Sequence, residues 1–222
     1  MNRRALIILA DRDDRPHRAG VAVRDFLRSP RGGGWVDDEV CVSRGQTVEE
    51  IRTLVSSAPP VDYTLLFVFG PIQLLKMDRP WLELVVTVAG MTITERELNP
   101  GSPRCMLIFD DAAAESSDRV DGPASADRLS QSRTLYDRCL TNAEAGLVKV
   151  FPSSAETGAH AKISVVKQLL TAAQRWNPTG PGIMDIDEAV TRAQSVDETR
   201  NSAVLTYRGG RRLRHFPFSV VV

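Results

Sequence analysis

Neither sign of charge is in excess in this sequence: Lys plus Arg and Asp plus Glu each number 28 across 222 residues, so the formal net charge is zero. General nucleic-acid and membrane-surface binders usually carry a basic surplus, so no nucleic acid and no membrane is expected among the partners. Cysteine is scarce too. Cys41, Cys105 and Cys139 are odd in number and show no C-x-x-C spacing, which leaves neither a disulfide framework nor a zinc knuckle. Long apolar runs are also missing. The opening M-N-R-R-A-L-I-I-L-A-D meets Asp11 before it is long enough for a signal segment or a bilayer span. These absences read as a soluble protein of a reducing, cytoplasmic compartment, with no cofactor expected.

What is present is a series of short apolar runs. Ala5 to Ala10, Tyr63 to Phe69 and Cys105 to Phe109 are continuous, as in strands buried on both faces. His17 to Arg28 places Ala19, Val23, Phe26 and Leu27 at helical spacing. Glu39 to Ser43 reads as a short strand, and T-V-E-E at 47–50 is a capping box opening a helix to about Ser56. After Gly70-Pro71 the pattern is less regular. Leu84 to Val88 predicts a strand paired with one near Met91 to Ile93, and Thr94 to Leu98 a helical turn. Arg128 to Leu140 and Ile163 to Trp176 predict helices, with a strand from Gly146 to Phe151 between them and a short helix from Asp185 to Ala193.

Ala203 to Tyr207 and Arg212 to Val222 read as a strand pair across Gly209-Gly210. Strands alternating with helices predict an α/β fold: a three-layer sandwich on a mainly parallel six-stranded sheet, helices on both faces, and a C-terminal antiparallel hairpin. No internal repeat is visible. The chain reads as a single domain over 1–222, with a first half (1–112), a linker-like loop (113–127) and a second half (128–222).

The most informative stretch is R-C-M-L-I-F-D-D-A-A-A-E-S-S, from Arg104 to Ser117. Its strand stops at Asp110 and Asp111, and chemistry in open α/β sheets gathers where parallel strands end. Two acids and then alanines occupy that place.

Several segments together resemble a bacterial caspase-like domain (peptidase C14, metacaspase-related). They are R-A-L-I-I-L-A-D, H-R-A-G-V-A-V-R-D-F-L-R, W-V-D-D-E-V with T-V-E-E-I-R-T-L, D-Y-T-L-L-F-V-F-G, R-C-M-L-I-F-D-D-A-A-A and L-V-K-V-F-P-S-S-A-E-T-G. The resemblance implies a caspase-like sandwich. It also implies a Gly-His-Gly after the third strand and a nucleophilic cysteine after the fourth. The matching positions read Gly70-Pro71-Ile72 and Ala112.

No register shift restores the pair, because no histidine lies between His17 and His160 and no cysteine between Cys105 and Cys139. A cysteine protease needs a thiolate within reach of a base. The expectation is a pseudoprotease with no catalytic residues, acting through a protein partner such as an active caspase-like protease, as regulator, inhibitor, decoy or substrate. Bacterial defence and regulated cell death are the setting that the resemblance implies. Gly70, Asp110, Asp111, Ser153 and Ser154 would line the vestigial cleft, with Asp110 at the position that holds basic residues in metacaspase-type members. The loop from Ala114 to Ala126, with Arg119, falls where active relatives are cleaved. A homodimer would form through the C-terminal strand, Phe218 to Val222, with Asp197, Glu198 and arginines 208, 211, 212 and 214 on its rim.

The alternative reading is a Mg²⁺-dependent phosphohydrolase. Asp11 and Asp13 follow the first strand and Asp110 and Asp111 the fourth, a grouping suited to an oxygen-ligated cation. It echoes the haloacid dehalogenase phosphatases, but no Ser or Thr ends the third strand.

Overall fold

Three apolar runs form the centre of the sheet. β1 (Arg3–Leu9), β3 (Tyr63–Phe69) and β7 (Arg104–Asp110) lie side by side and parallel. In the computed structural model, residues 1–10, 14–44, 47–57, 59–76, 82–111, 124–156, 164–196, 203–207 and 212–222 are described. β2 (Val40–Arg44) joins β1 in parallel on one side, and β8 (Gly146–Pro152) joins β7 in parallel on the other. β10 (Ala203–Tyr207) pairs antiparallel with β8 and completes a six-stranded sheet in the order β10-β8-β7-β3-β1-β2. The expected mainly parallel sheet is present.

Alternation along the strands divides the core in two. Ala5, Ile7 and Leu9 of β1 face a cluster formed with α1 (Asp14–Arg28), α3 (Ala126–Asn142), α4 (Val165–Arg175) and α5 (Ile186–Val196). Leu6, Ile8 and Ala10 face α2 (Val48–Ser56) and a three-stranded antiparallel sheet of β4 (Ile72–Lys76), β5 (Leu82–Val88) and β6 (Met91–Thr94). The three layers follow from this division. α2 starts as its capping box predicts: the Glu50 amide donates to Thr47 Oγ1 at 3.3 Å, and the Thr47 amide donates to the Glu50 carboxylate at 2.7 Å. Among the described residues, no helix is long and apolar enough to cross a membrane.

The sheet begins at a buried arginine. Arg3 lies 4.4 Å from the Trp35 ring centroid, donates to the Gly33 carbonyl at 3.0 Å, and pairs with Asp137 at 3.1 Å. Burying a guanidinium is costly unless it is paired and hydrogen-bonded, and both conditions are met here. Tyr136, whose hydroxyl donates to the Pro217 carbonyl at 2.9 Å, closes the other side of this cluster. Gly33 has φ +100, and a Cβ there would meet the Tyr136 ring at 2.4 Å, so both backbone and space require glycine.

The C-terminal antiparallel pair is present, with a different partner from the one the local signal suggests. β11 (Pro217–Val221) pairs with β9 (Gly182–Asp185), a strand with no sequence signal, while β10 goes to the main sheet. The reason is burial. Phe216, Phe218 and Val220 enter the helical core, Phe218 stacks on Phe26 at 5.5 Å, and the Val220 amide donates to the Arg31 carbonyl at 2.8 Å. The side chains of the last strand are therefore buried as far as Val220, with Val221 and Val222 half-buried, and its backbone pairs with β9. β2 and β10 are the outer strands of the main sheet.

Candidate functional site

The C-terminal edge of the parallel strands is where this fold would assemble a site, and its framework is backbone. Phe69 and Asp110 are register partners at the ends of β3 and β7. Just beyond them, the Gly70 amide donates to the Asp110 carbonyl at 3.0 Å, and the Ala10 amide donates to the Phe69 carbonyl at 2.8 Å. The three central strands are thus tied together at their exits. Glycine is required at 70, since a Cβ would lie 2.6 Å from the Ala10 Cβ. Pro71 follows, exposed, its carbonyl accepting from the Thr87 amide at 3.0 Å.

Asp110 does not present its carboxylate to the surface. It is 1% exposed and accepts from the Ser164 hydroxyl and, at 3.0 Å, from the Val166 amide. Ser164 is the N-cap of α4 and also accepts from the Lys167 amide at 2.9 Å. One carboxylate therefore satisfies the start of a helix, where orphan amides and the positive end of the helix dipole both favour an anion. Asp110 anchors the edge. It cannot reach a partner's Arg or Lys without leaving the helix. Asp111, the next residue, is half-buried at the rim.

Ser153 and Ser154 lie in a single 3-10 turn (Ser153–Glu156) that follows β8 and packs against β4. Ser153 is half-buried and Ser154 buried. Gly70, Asp110 and the serine turn thus all follow or end strands at the same side of the sheet. Ala112, Asp11, Asp13, His160, the loop from 112 to 123, Asp197 and Glu198, and Arg208 to Arg211 lie outside the described residues. Among the described residues, no group of three or more acids, histidines and cysteines is placed to hold a metal ion. Asp110, one of the proposed magnesium ligands, has its carboxylate held by α4.

Among the described residues, no cysteine is placed beside an imidazole at these strand ends. Cys105 sits at the far end of β7, about 16 Å from Asp110 at an ordinary strand rise. Burial pushes its thiol up to about 12, partly offset by the Arg4 charge. Cys139 points into the helical layer, its thiol near the His215 carbonyl at 3.3 Å. Cys41 is exposed on β2.

His17, read from the sequence as opening a helix with no partner, lies close to the strand ends. It occupies the first turns of α1, half-buried, one turn before Gly20, which packs over Leu9 at the end of β1. Its Nδ1 is buried without a hydrogen-bond partner. The signal was the position itself: the first turn after a central strand returns to the strand-end side. A cavity of about 410 Å³ opens at the opposite side, where Trp35, Val36, Leu129 and Arg133 meet near the start of β2.

No family model and no curated protein matches the chain. Among solved structures, the chain is similar to protein GSU0716 from Geobacter sulfurreducens, a Northeast Structural Genomics target, with a TM-score of 0.51 and 11% identity. That likeness covers 98% of this chain and 100% of the other, and at this identity it establishes the shared α/β fold alone.

Proposed function

We propose that this chain is a caspase-like domain without its catalytic pair, which works in the cytoplasm by binding a protein partner, an active caspase-like protease. The observation that carries this reading is the hydrogen bond from the Gly70 amide to the Asp110 carbonyl. The resemblance assigns the base to position 71 and the nucleophile to position 112, and both follow directly from these two adjoining strand ends. A base and a nucleophile would have to meet there, and the residues are Pro71 and Ala112. Neither side chain accepts a proton or attacks a carbonyl.

The strand-end surface then serves recognition. Pro71 is exposed and Asp111 and Ser153 are half-buried, so these residues supply contacts while Asp110 holds α4 beneath them. Bacterial defence and regulated cell death are the setting consistent with such a partner.

The experiment is an affinity capture of the tagged protein from its native host, read by mass spectrometry, beside the variant Pro71→Glu. An intact caspase-like protease recovered with the wild-type chain and lost with Pro71→Glu is the expected result. Hydrolysis of a peptide panel by the purified chain, or its labelling by a thiol-directed peptide probe, overturns the proposal.

A further inference from the structure

We propose that Arg4, at the start of β1, is the centre of an oxyanion site that takes a carboxylate or phosphate group. It lies at the opposite end of the sheet from Gly70 and Asp110 and is independent of the strand-end surface. The two arginines that open β1 are adjacent in sequence and opposite in surroundings, because successive side chains of a strand point to opposite faces. Arg3 enters the helical side, where Glu39, Asp137 and the Gly33 carbonyl take its N–H groups. Arg4 turns to the α2 side, the side of Leu6 and Ile8. Its Nε and Nη1 are buried there without a hydrogen-bond partner, and it makes no ion pair among the described residues.

The electrostatics agree with this geometry. Burial lowers the Arg4 pKa, and the groups that oppose the shift are the thiols of Cys105 and Cys41; no carboxylate is among them. The neighbouring strand supplies a second donor. Thr64 of β3 is the register partner of Arg4 and is fully buried on the same face. Its Oγ1 lies 2.7 Å from the Ser102 Oγ. Two hydroxyls carry two hydrogens and their mutual bond uses one, so the other remains for a further acceptor. Cys105 of β7, the register partner of Thr64, closes the row.

A charged N–H buried without an acceptor is costly, and an apolar side chain would fill the same space at less cost. Such a group in a folded protein calls for an occupant that satisfies it. An oxyanion brings the missing charge and the missing acceptors together, and the planar guanidinium fork matches carboxylate and phosphate geometry. A cation or an apolar ligand would supply neither. Arg4 as a whole is half-buried, so the site is open to solvent on one side.

The test is thermal unfolding of the full chain in phosphate, acetate or chloride at millimolar concentration and matched ionic strength. The wild-type midpoint should rise with phosphate or acetate by about 3–6 °C for each tenfold of anion above its dissociation constant. Chloride should not move it. A response to both oxyanions assigns a carboxylate site, and a response to phosphate alone assigns a phosphate site. Arg4→Met should show no response. Without the anion it should melt no lower than wild type, since an apolar side chain replaces an unpaired charge. A wild-type midpoint unmoved by phosphate and acetate overturns the proposal. So does an Arg4→Met chain that responds as wild type does. An Arg4→Met chain that melts well below wild type in anion-free buffer, or fails to fold, overturns it too, because Arg4 would then already be satisfied.

Discussion

Asp110 and Ser164 meet beneath the first turn of α4, where the serine hydroxyl donates to the carboxylate and the Val166 amide donates to the same oxygen at 3.0 Å. The contact spans 54 positions of sequence and joins the end of the fourth parallel strand to the helix that covers it. It also explains why the first of two adjacent acids is closed in and the second stays at the rim.

Asp110→Ala should therefore lower stability without altering the surface of the strand ends. Hydrogen bonds to a charged group contribute about 1.5–3 kcal/mol, and the substitution leaves a buried amide and hydroxyl unpaired. A loss of about 3 kcal/mol in urea unfolding is expected, and Ser164→Ala should lose about 1 kcal/mol as a removed cap. An Asp110→Ala chain as stable as wild type would show that the carboxylate does not anchor α4.

The central strands were legible because their apolar runs are too short for buried helices and end at turn or charged residues. Ala5 to Ala10, Tyr63 to Phe69 and Cys105 to Phe109 are short, almost wholly apolar runs, and their length and flanking breaks favour a strand buried on both faces over a helix. The capping box at Thr47 was equally direct, since its two hydrogen bonds are local. What escaped was non-local. β4 alternates exposed Gln73 and Leu75 with buried Ile72, and its polar positions hid it. β9 is four residues long and exists because β11 returns to it from far along the chain. Gly209-Gly210 offered a local hairpin, but three apolar side chains of the last segment gain more by burial against α1 and α3 than by pairing with β10. At the candidate site the strand ends were readable. The orientation of Asp110 was not, because it depends on Ser164.

Thiol reactivity should separate the three cysteines cleanly. Cys41 is exposed, whereas burial pushes the Cys105 thiol up to about 12 and the Cys139 thiol up to about 11, the latter with help from Asp185. The thiolate is the reactive form. An aromatic disulfide reagent at pH 8 should titrate one thiol in the native protein and all three in denaturant. Rapid reaction of a second thiol in the folded chain would contradict the placement of Cys105 and Cys139.

Acid should weaken the start of β2 through Glu39. Burial raises the pKa of this carboxylate, but the Arg133 hydrogen bonds, the Val36 amide and the Arg3 charge outweigh it and hold the pKa below the ordinary glutamate value. A folded-state pKa below the unfolded one gives stability that is complete above the unfolded value and is lost as pH falls through the folded one. Wild type should therefore exceed Glu39→Gln in stability at neutral pH, and the gap should shrink below about pH 4.5. A constant gap from pH 7 to pH 3 would remove the charge from the explanation.

Gly70→Ala tests the framework that the functional proposal stands on. A Cβ at this position would lie 2.6 Å from the Ala10 Cβ, with Val86 Cγ1 at 3.5 Å behind it. Neither neighbour is the end of a flexible side chain, so relief requires β1 and β3 to separate at their exits. That movement works against the Ala10 amide bond to the Phe69 carbonyl and the Gly70 amide bond to the Asp110 carbonyl. Forcing an extra methyl group into a packed site typically costs about 1–3 kcal/mol. The same displacement would shift Pro71 relative to Asp111, so capture of the partner should fall together with stability. Pro71→Glu, on an exposed side chain, should reduce capture and leave stability unchanged. If Gly70→Ala lowers the melting temperature but captures the partner as well as wild type, recognition lies away from these strand ends. If both variants lose the partner and only Gly70→Ala loses stability, the strand-end surface is the contact and its backbone ties are what hold it in shape.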